Sequence, residues 1–372
     1  MKKIFALFFA VVLACVMFSA CGKQEEHDCD YTVSQTYEVK DGELYLVGVC
    51  EHGKTNQGTR VPNSRVATPQ TAEQVMGAAK SGEFVYFTAG EYGRINFGQG
   101  SASETQVSAL PTYLRTLKNV TFYAEDGVMV DRITFAVGIC NKNANGIFGN
   151  VTDPVTGEIV SAYYSYVDFD GVKFVNFTFN GVEEFDGVYA EGLDLSTYGT
   201  LKGLTFEKCK FIGNRSQIRF RFSDGDCGAV ENVVVDDCTF QNINHELTSA
   251  IIIERAHGLT VTDSTFDAVG YNALQMGKSL TGTIVVTGNV FKRIGSRVIH
   301  WGAGLTDATA VTVTLENNKF YLNDGASQST GNYIHSGAPI EIGKNYWEEL
   351  PDTSTNRWLN NVIIDLYEQE II

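Results

Sequence analysis

A short strand-like phrase returns along this chain, and each copy ends in phenylalanine. The spacings between these closing phenylalanines are 32, 29, 26, 25 and 29 residues. Bounded spacing of this kind indicates an internal repeat, in which each copy is one supersecondary unit. The closing residues are Phe179, Phe211, Phe240, Phe266, Phe291 and Phe320.

The composition of the phrase favours strands over helices. The copy at 233–240 reads Val-Val-Val-Asp-Asp-Cys-Thr-Phe, in which inward and outward positions are expected to alternate. Its β-branched residues favour a strand, and it is too short for an amphipathic helix. One copy cannot bury its apolar side alone, whereas stacked copies can, so the repeat predicts a solenoid. The phrase resembles that of the pectate-lyase-like superfamily over residues 82–350. This resemblance implies an all-β fold, a right-handed parallel β-helix of about ten coils, with a short N-terminal capping helix and a C-terminal cap.

The position two residues before each closing phenylalanine predicts a ladder inside the coils. Stacked strands lie about 4.8 Å apart, so equivalent residues of successive coils should pile up. Two cysteines in this ladder could form a disulfide or a metal pair. The favoured alternative is a row of small buried residues, because thiols pack well as small hydrophobes. The ladder positions are Phe177, Cys209, Cys238, Ser264, Asn289 and Asn318.

The N-terminus has the pattern of an exported lipoprotein. Lys2 and Lys3 precede an apolar run, 4–17, that is too short to span a membrane and is typical of a secretory signal. The following Phe-Ser-Ala-Cys resembles the bacterial lipoprotein cleavage box, although the family usually has Leu in place of the Phe. This resemblance implies lipidation of Cys21, and the alternative is a secreted protein without an anchor. The acidic pair in 22–26 resembles the tag of outer-membrane lipoproteins exposed at the cell surface.

The pattern divides the chain into five segments. A hairpin is predicted to turn at 40–43, and a helix at 71–80 is predicted to be capped by Thr71 and stopped by Gly82. Residues 51–69 are interpreted as a loop and 137–166 as a long surface excursion. The segments are a signal peptide (1–20), a tether (21–30), the hairpin and capping helix (31–81), the β-helix (82–350) and a C-terminal cap (351–372).

The net charge restricts the class of ligand, and the cysteines indicate which disulfide the chain could form. The formal net charge is −16, and removal of two signal-peptide lysines would take it to −18, which disfavours nucleic-acid binding. An exported protein can carry disulfides, and the favoured pair is Cys29 with Cys50, which flank the hairpin. The expected partners are a polysaccharide and, through the lipid, a membrane. The chain is expected to be a monomer without a cofactor.

A second set of strand-like segments contains the candidate site. It comprises 217–222, 250–255, 273–278, 298–301 and 333–335. Strand alternation would bury their apolar residues and send a polar row outward, on a body that is otherwise strongly acidic. A basic strip of this kind suits an anionic chain such as a uronic-acid polysaccharide, whose carboxylates Arg can grip with two hydrogen bonds. The outward residues are predicted to be Arg219, Arg221, Glu254, Gln275, His300 and His335.

Elimination chemistry on a uronate needs a cation beside the sugar carboxylate and a base for the C5 proton. The predicted catalytic residues are Arg219, Arg221, Glu254, Lys278, His300 and His335. The predicted substrate-binding residues are Arg255, Tyr271, Gln275, Trp301 and Tyr333. The alternative is a solvated polar face on a non-catalytic glycan-binding or protein-binding module.

Two other chemistries are less favoured. Polygalacturonase-type hydrolases of this fold carry several motifs, of which only the Asp236-Asp237 pair matches, so a two-carboxylate hydrolase is disfavoured. Calcium could bind a row of aspartates through hard oxygen ligands, but acidic turn residues explain the row equally well. These aspartates are Asp224, Asp226, Asp236, Asp237 and Asp263.

Overall fold

The structure is a computed structural model that divides into two compact units, Met1–Pro62 and Asn63–Ile372. The structure describes residues 30–31, 34–97, 115–137, 139–140, 150–152, 159–161, 163–164, 167–180, 188–192, 200–213, 217–222, 229–243, 249–295, 298–301, 311–321 and 357–364. Among the described residues, no helix has the length and apolar character needed to cross a membrane.

The first unit is a small antiparallel sheet formed by β1 (Ser34–Lys40), β2 (Glu43–Val49) and β3 (Thr59–Arg60). Strands β1 and β2 form a hairpin in which Lys40 lies opposite Glu43. The turn between them contains Asp41 and Gly42, both with positive φ, a conformation that Asp tolerates and Gly adopts readily. Cys50 is buried, whereas Cys29 lies outside the described residues, so their pairing stays a prediction.

The described residues of the second unit form one helix and a series of strands of two to fourteen residues. The first elements are β4 (Ser64–Ala67), α1 (Ala72–Gly77), β5 (Phe84–Phe87), β6 (Gly90–Glu91), β7 (Arg94–Phe97), β8 (Arg115–Lys118), β9 (Thr121–Ala124), β10 (Val128–Val130), β11 (Arg132–Val137), β12 (Ile139–Cys140), β13 (Asn150–Thr152), β14 (Ile159–Ser161) and β15 (Tyr163–Tyr164). The next are β16 (Val167–Asp170), β17 (Lys173–Val175), β18 (Thr178–Asn180), β19 (Val188–Gly192), β20 (Thr200–Lys202), β21 (Thr205–Glu207), β22 (Lys210–Ile212), β23 (Ile218–Phe222), β24 (Ala229–Asp236) and β25 (Thr239–Ile243). The last are β26 (Ile251–Thr262), β27 (Thr265–Val269), β28 (Leu274–Thr287), β29 (Val290–Ile294), β30 (Ile299–Trp301), β31 (Val311–Glu316), β32 (Lys319–Tyr321), β33 (Arg357–Leu359) and β34 (Val362–Ile364).

Apart from the antiparallel pairs β12–β15 and β13–β14, these strands pair in parallel with their equivalents in the next coil and form a parallel β-helix. It has three long faces, A, B and C, and a shorter ladder of β8, β16, β20 and the first part of β24. Face A consists of β7, β11, β19, β23, the first part of β26 and of β28, and β30. Face B consists of β4, β5, β9, β17, β21, β31 and β33 with the last part of β24, β26 and β28. Face C consists of β6, β10, β18, β22, β25, β27, β29, β32 and β34.

The predicted phenylalanine repeat is confirmed as a stack inside face C. Phe179, Phe211 and Phe240 lie 4.7 Å apart between successive ring centroids, and each is fully buried. The stack continues through three further phenylalanines at 4.5, 5.0 and 5.2 Å, namely Phe266, Phe291 and Phe320. The spacing equals the distance between neighbouring strands, because every coil contributes one ring at the same position.

The predicted ladder of buried small and amide side chains is also confirmed. Backbone N–H groups of Ser264, Asn289 and Asn318 each donate to the side-chain oxygen of the ladder residue in the next coil, at 2.9–3.0 Å. Asn361 adds a further coil that the sequence pattern did not reveal. At the other end Cys209 and Cys238 are buried free thiols, as the packing interpretation expected.

The helix is shorter than predicted. It spans Ala72–Gly77 rather than 71–80 and ends with Ala78 as the C-cap, before the predicted stop at Gly82. Thr71 occupies the N-cap position, but its hydroxyl makes no capping hydrogen bond and instead accepts one from the Thr68 N–H at 2.9 Å. The predicted cap was wrong because this hydroxyl closes the turn before the helix.

Two segments interpreted as loops contain strands. Strand β4 lies within the predicted loop 51–69 and pairs in parallel with β5, so the first coil of face B begins before the helix. The division between the units at Pro62 and Asn63 places α1 with the β-helix unit, not with the hairpin. Within the predicted excursion 137–166, β12 pairs with β15 and β13 with β14, both antiparallel.

Candidate functional site

The predicted site falls on face A, where a buried row of residues fixes the positions of the strands. Ile218, Ile251, Leu274 and Ile299 are paired from coil to coil and are all buried. Each of these four residues lies on the core side of its strand. The residue that follows each of them in the sequence lies at the next strand position, and these following residues form the adjacent row. The buried row therefore sets the register of the candidate residues.

The adjacent row contains three of the predicted residues. Arg219 pairs with Ile252, Ile252 with Gln275, and Gln275 with His300. At about 4.8 Å per coil, the backbone distance from Arg219 to His300 is about 14 Å. The row continues from Arg219 to Tyr189 in the preceding coil. Face A thus brings an arginine, an amide and a histidine into one line across four coils.

Arg221 and Glu254 lie outside this line. Arg221 is two residues further along β23 and pairs with Glu191 of the preceding coil. Ile252, and not Glu254, occupies the position next to Arg219 in β26. Glu254 follows at the point where the register between β26 and β28 shifts, between Ile253 and Arg255. Alternation is not kept at the start of β26, where Ile251, Ile252 and Ile253 are all buried, and the sequence did not show the register shift that follows.

The other predicted residues divide between the edge of face A and the rest of the chain. Arg255 pairs with Ser279, one position beyond Lys278, and Trp301 pairs with Met276. Tyr271 is half-buried in the turn before β28. Three predicted residues, namely His335, Tyr333 and the lipidation residue Cys21, lie outside the described residues.

Gln275 is held in place by a second polar side chain. The hydroxyl of Ser249, which is itself buried, donates to Gln275 Oε1 at 2.8 Å. This bond occupies an amide oxygen of Gln275 and orients the amide, so that its NH₂ group is the remaining donor toward a ligand. Sequence reasoning missed Ser249, because it precedes the strand and has no alternation signal.

The row of aspartates provides no metal centre in the part of the chain that the structure describes. There, no group of three or more His, Cys, Asp or Glu side chains lies close enough to hold an ion. Asp236 Oδ1 accepts a hydrogen bond from the Thr262 hydroxyl at 2.6 Å. Asp237 and Asp263 have positive φ at equivalent turns, which fits the interpretation as acidic turn residues.

Comparison with known proteins supports the fold and no finer assignment. Residues 162–346 match a family model described as a right handed beta helix region. With the parallel ladders of the three faces, this match confirms the predicted fold class, a right-handed parallel β-helix. No curated protein and no solved structure is significantly similar to the chain. Because this fold carries many activities, the residues of the site must support any function.

Proposed function

We propose that this protein binds an acidic extracellular polysaccharide along face A. The observation that carries the proposal is the register row of four coils that contains Arg219, Ile252, Gln275 and His300, in that order. A linear polymer presents its groups at regular intervals, and the row advances by about 4.8 Å per coil, so the backbone of Gln275 lies about 10 Å from Arg219 and about 5 Å from His300. Arg219 would grip a carboxylate, and Gln275 would donate to a sugar hydroxyl or carboxylate.

The charge of the protein supports an acidic ligand at this place. The chain carries a formal net charge of −16, so an anionic polymer is repelled from most of its surface. Cations concentrated on one face would then decide where the polymer binds. Arg221 would contribute less than Arg219, because its backbone register partner in the preceding coil is an acidic residue, Glu191.

We also propose that the protein is exported and held at the outer-membrane surface by a lipid on Cys21. The basic residues, the apolar run and the cleavage box at the N-terminus support this location. A surface anchor and a β-helix that binds glycan fit one role, because extracellular polysaccharide reaches the protein only from outside the cell.

The second candidate function is cleavage of the same polymer by β-elimination. The observation that favours it is the position of His300 in the same row as Arg219. Gln275, the register partner of His300, would donate to the carboxylate of the reacting uronate, and neutral His300 would take its C5 proton as the C4–O bond breaks. Arg219, two coils from Gln275, would hold the carboxylate of another sugar of the same polymer. The electron pair of the C5–H bond then forms the C4–C5 double bond. The departing oxygen takes a proton from water.

One experiment separates binding from cleavage. The full chain is incubated with polygalacturonate, alginate, dextran sulfate and neutral dextran, while binding and the ultraviolet absorbance of unsaturated uronate are recorded. Binding to a uronate polymer without absorbance supports the first candidate, and a rise in absorbance supports the second. Equal binding to dextran, or no binding to any acidic polymer, would overturn the proposal.

A further inference from the structure

Face C carries a second group of cations, on strands that the prediction from sequence did not consider for function. Lys292 follows the buried Phe291, Arg293 follows Lys292, and Lys319 precedes the buried Phe320. Lys319 and Arg293 are exposed and Lys292 is half-buried. The three residues lie on the neighbouring strands β29 and β32, which pair in parallel.

An aromatic ring orders one of these cations. Lys292 Nζ lies 4.5 Å from the centroid of the Tyr321 ring, which is within the range of a cation–π interaction. The contact restricts a side chain that would otherwise sample many rotamers, so less entropy is lost when the ammonium meets an anion. Lys292 is therefore a partly ordered donor close to the exposed Lys319.

On the described strands β27, β29, β32 and β34, the one carboxylate is that of Asp267, which is already neutralised by Arg293. Asp267 pairs with Lys292 in the backbone register, and its Oδ1 accepts a hydrogen bond from Arg293 Nε at 2.7 Å. This bond raises the pKa of the Arg293 guanidinium, which stays charged. Among the described ion pairs, neither Lys292 nor Lys319 takes part. The local charge is thus positive on a strongly negative protein.

The remaining surface of these strands suits a sugar chain. On the described outer positions of β25, β27 and β29, the neighbours are Thr239, Gln241, Thr265 and Val290, which are all half-buried and uncharged. The hydroxyls of Thr239 and Thr265 and the amide of Gln241 can exchange hydrogen bonds with sugar hydroxyls, and Val290 adds no charge. The cations would take the acidic groups, and the uncharged positions would take the rest of the polymer.

We propose that face C is a second binding site for an acidic polysaccharide, formed by Lys292, Lys319 and Tyr321. The choice of ligand rests on the proposed function, whereas the site itself uses none of the residues of face A. Two sites on one chain would hold the same polymer with a higher effective concentration, or would bind two polymers at once.

The test measures the affinity of the full chain, solubilised in detergent, for polygalacturonate, alginate and dextran sulfate at low and at high salt. Lys292→Ala with Lys319→Ala should weaken binding about tenfold at low salt and less at high salt, since exposed charges are screened. Lys173→Ala with Lys202→Ala, which removes two exposed lysines from other strands, is the charge-matched control and should leave the affinity within about twofold.

Two single substitutions should raise the affinity or leave it unchanged, rather than weaken it. Asp267→Asn removes a negative charge and releases Arg293, so the affinity should rise by about twofold or more. Lys292→Arg keeps the cation over Tyr321 and should bind like the parent. Thermal melting of each variant separates a loss of ligand contacts from a loss of folding.

The outcomes distinguish this proposal from that for face A. The second site is disproved if the Lys292 and Lys319 variant binds like the parent at low salt, or if the control variant loses as much affinity. If the parent binds and only Arg219→Ala with Arg221→Ala weakens binding, the binding site on face A is supported and the one on face C is disproved. If only Lys292→Ala with Lys319→Ala weakens binding, the binding site on face C is supported and the proposed function of face A is disproved. Absence of binding by the parent to any of the three acidic polymers overturns both.

Discussion

Phe240 and Phe266 stack with their ring centroids 4.5 Å apart and their planes 1° from parallel. The two residues belong to successive coils, in strands whose backbones pair at this position. Such overlap of identical rings requires the register to be the same from coil to coil. The stack therefore indicates the register of the β-helix, and a substitution of one of its phenylalanines tests that register.

Phe240→Ala should lower the free energy of unfolding by about 3–5 kcal/mol, because a fully buried ring between two stacked neighbours leaves a large cavity. Phe320→Ala should cost less, since Phe320 stacks on Phe291 but its register partner on the other side is Ile363, whereas Phe240 stacks between two phenylalanine rings. Denaturant melts give both values. Losses below 1 kcal/mol at Phe240, or equal losses at the two positions, would contradict the central place of Phe240 in the stack.

Asn289→Ala should be destabilised by about 2–4 kcal/mol, because several hydrogen bonds inside the coil lose a partner. Asn289 Oδ1 accepts from the Ser264 N–H, and its Nδ2 donates to the Val261 carbonyl at 2.8 Å. Asn289→Ser is the matched control, since Ser264 fills the same ladder position one coil away and can accept from a backbone N–H. If Ser were as costly as Ala, cavity formation and not hydrogen bonding would dominate the ladder.

The sequence was sufficient to predict the residues inside the β-helix, but not to predict which residues become neighbours from coil to coil on its outer faces. The ladder from Cys209 to Asn318 could be predicted because it keeps a constant offset from each phenylalanine. Asn361 was missed since the next coil ends in Ile363 rather than Phe. Strand β4 was missed because Ser64–Ala67 is short and has only one strongly apolar residue, Val66.

The candidate site shows the same limit. Alternation predicted an outer side for Arg219, Arg221 and Glu254, which stays a prediction, whereas the partner of Arg219 in the next coil depends on the lengths of the segments between the strands. These turns place Ile252 beside Arg219 and shift the register after Ile253. Periodicity within a strand contains no information about such shifts. The contact of Lys292 with Tyr321 depends on two strands at once and had no signal in either phrase.

The buried thiol of Cys238 should make the protein sensitive to alkaline pH. Burial raises the pKa of this thiol, and the neighbouring Cys209 raises it further. The unfolded chain loses this proton near pH 8.5 whereas the folded chain keeps it, so stability is complete below that pH and falls as the pH rises above it. Denaturant melts from pH 7 to 10 should fall more steeply for the parent than for Cys238→Ala. Parallel curves for the two proteins would show that the thiol does not contribute.

Cys21 should carry the lipid. A fatty-acid analogue supplied to cells that express the protein should label the parent and not Cys21→Ser. Cys15→Ser, within the apolar run, is the matched control and should be labelled like the parent. The anchor hypothesis fails if Cys21→Ser partitions into membranes as the parent does.

The most direct test of the account is the affinity for an acidic polysaccharide after both arginines of face A are removed. Arg219→Ala with Arg221→Ala should weaken binding of the polymer that the parent binds best about tenfold at low salt, and added salt should weaken the parent as well. Arg219→Ala alone should account for most of the loss, because Arg221 pairs with Glu191 in the register. Lys173→Ala with Lys202→Ala serves as the control. An affinity of the double arginine variant equal to that of the parent at low salt would contradict the proposed function of face A.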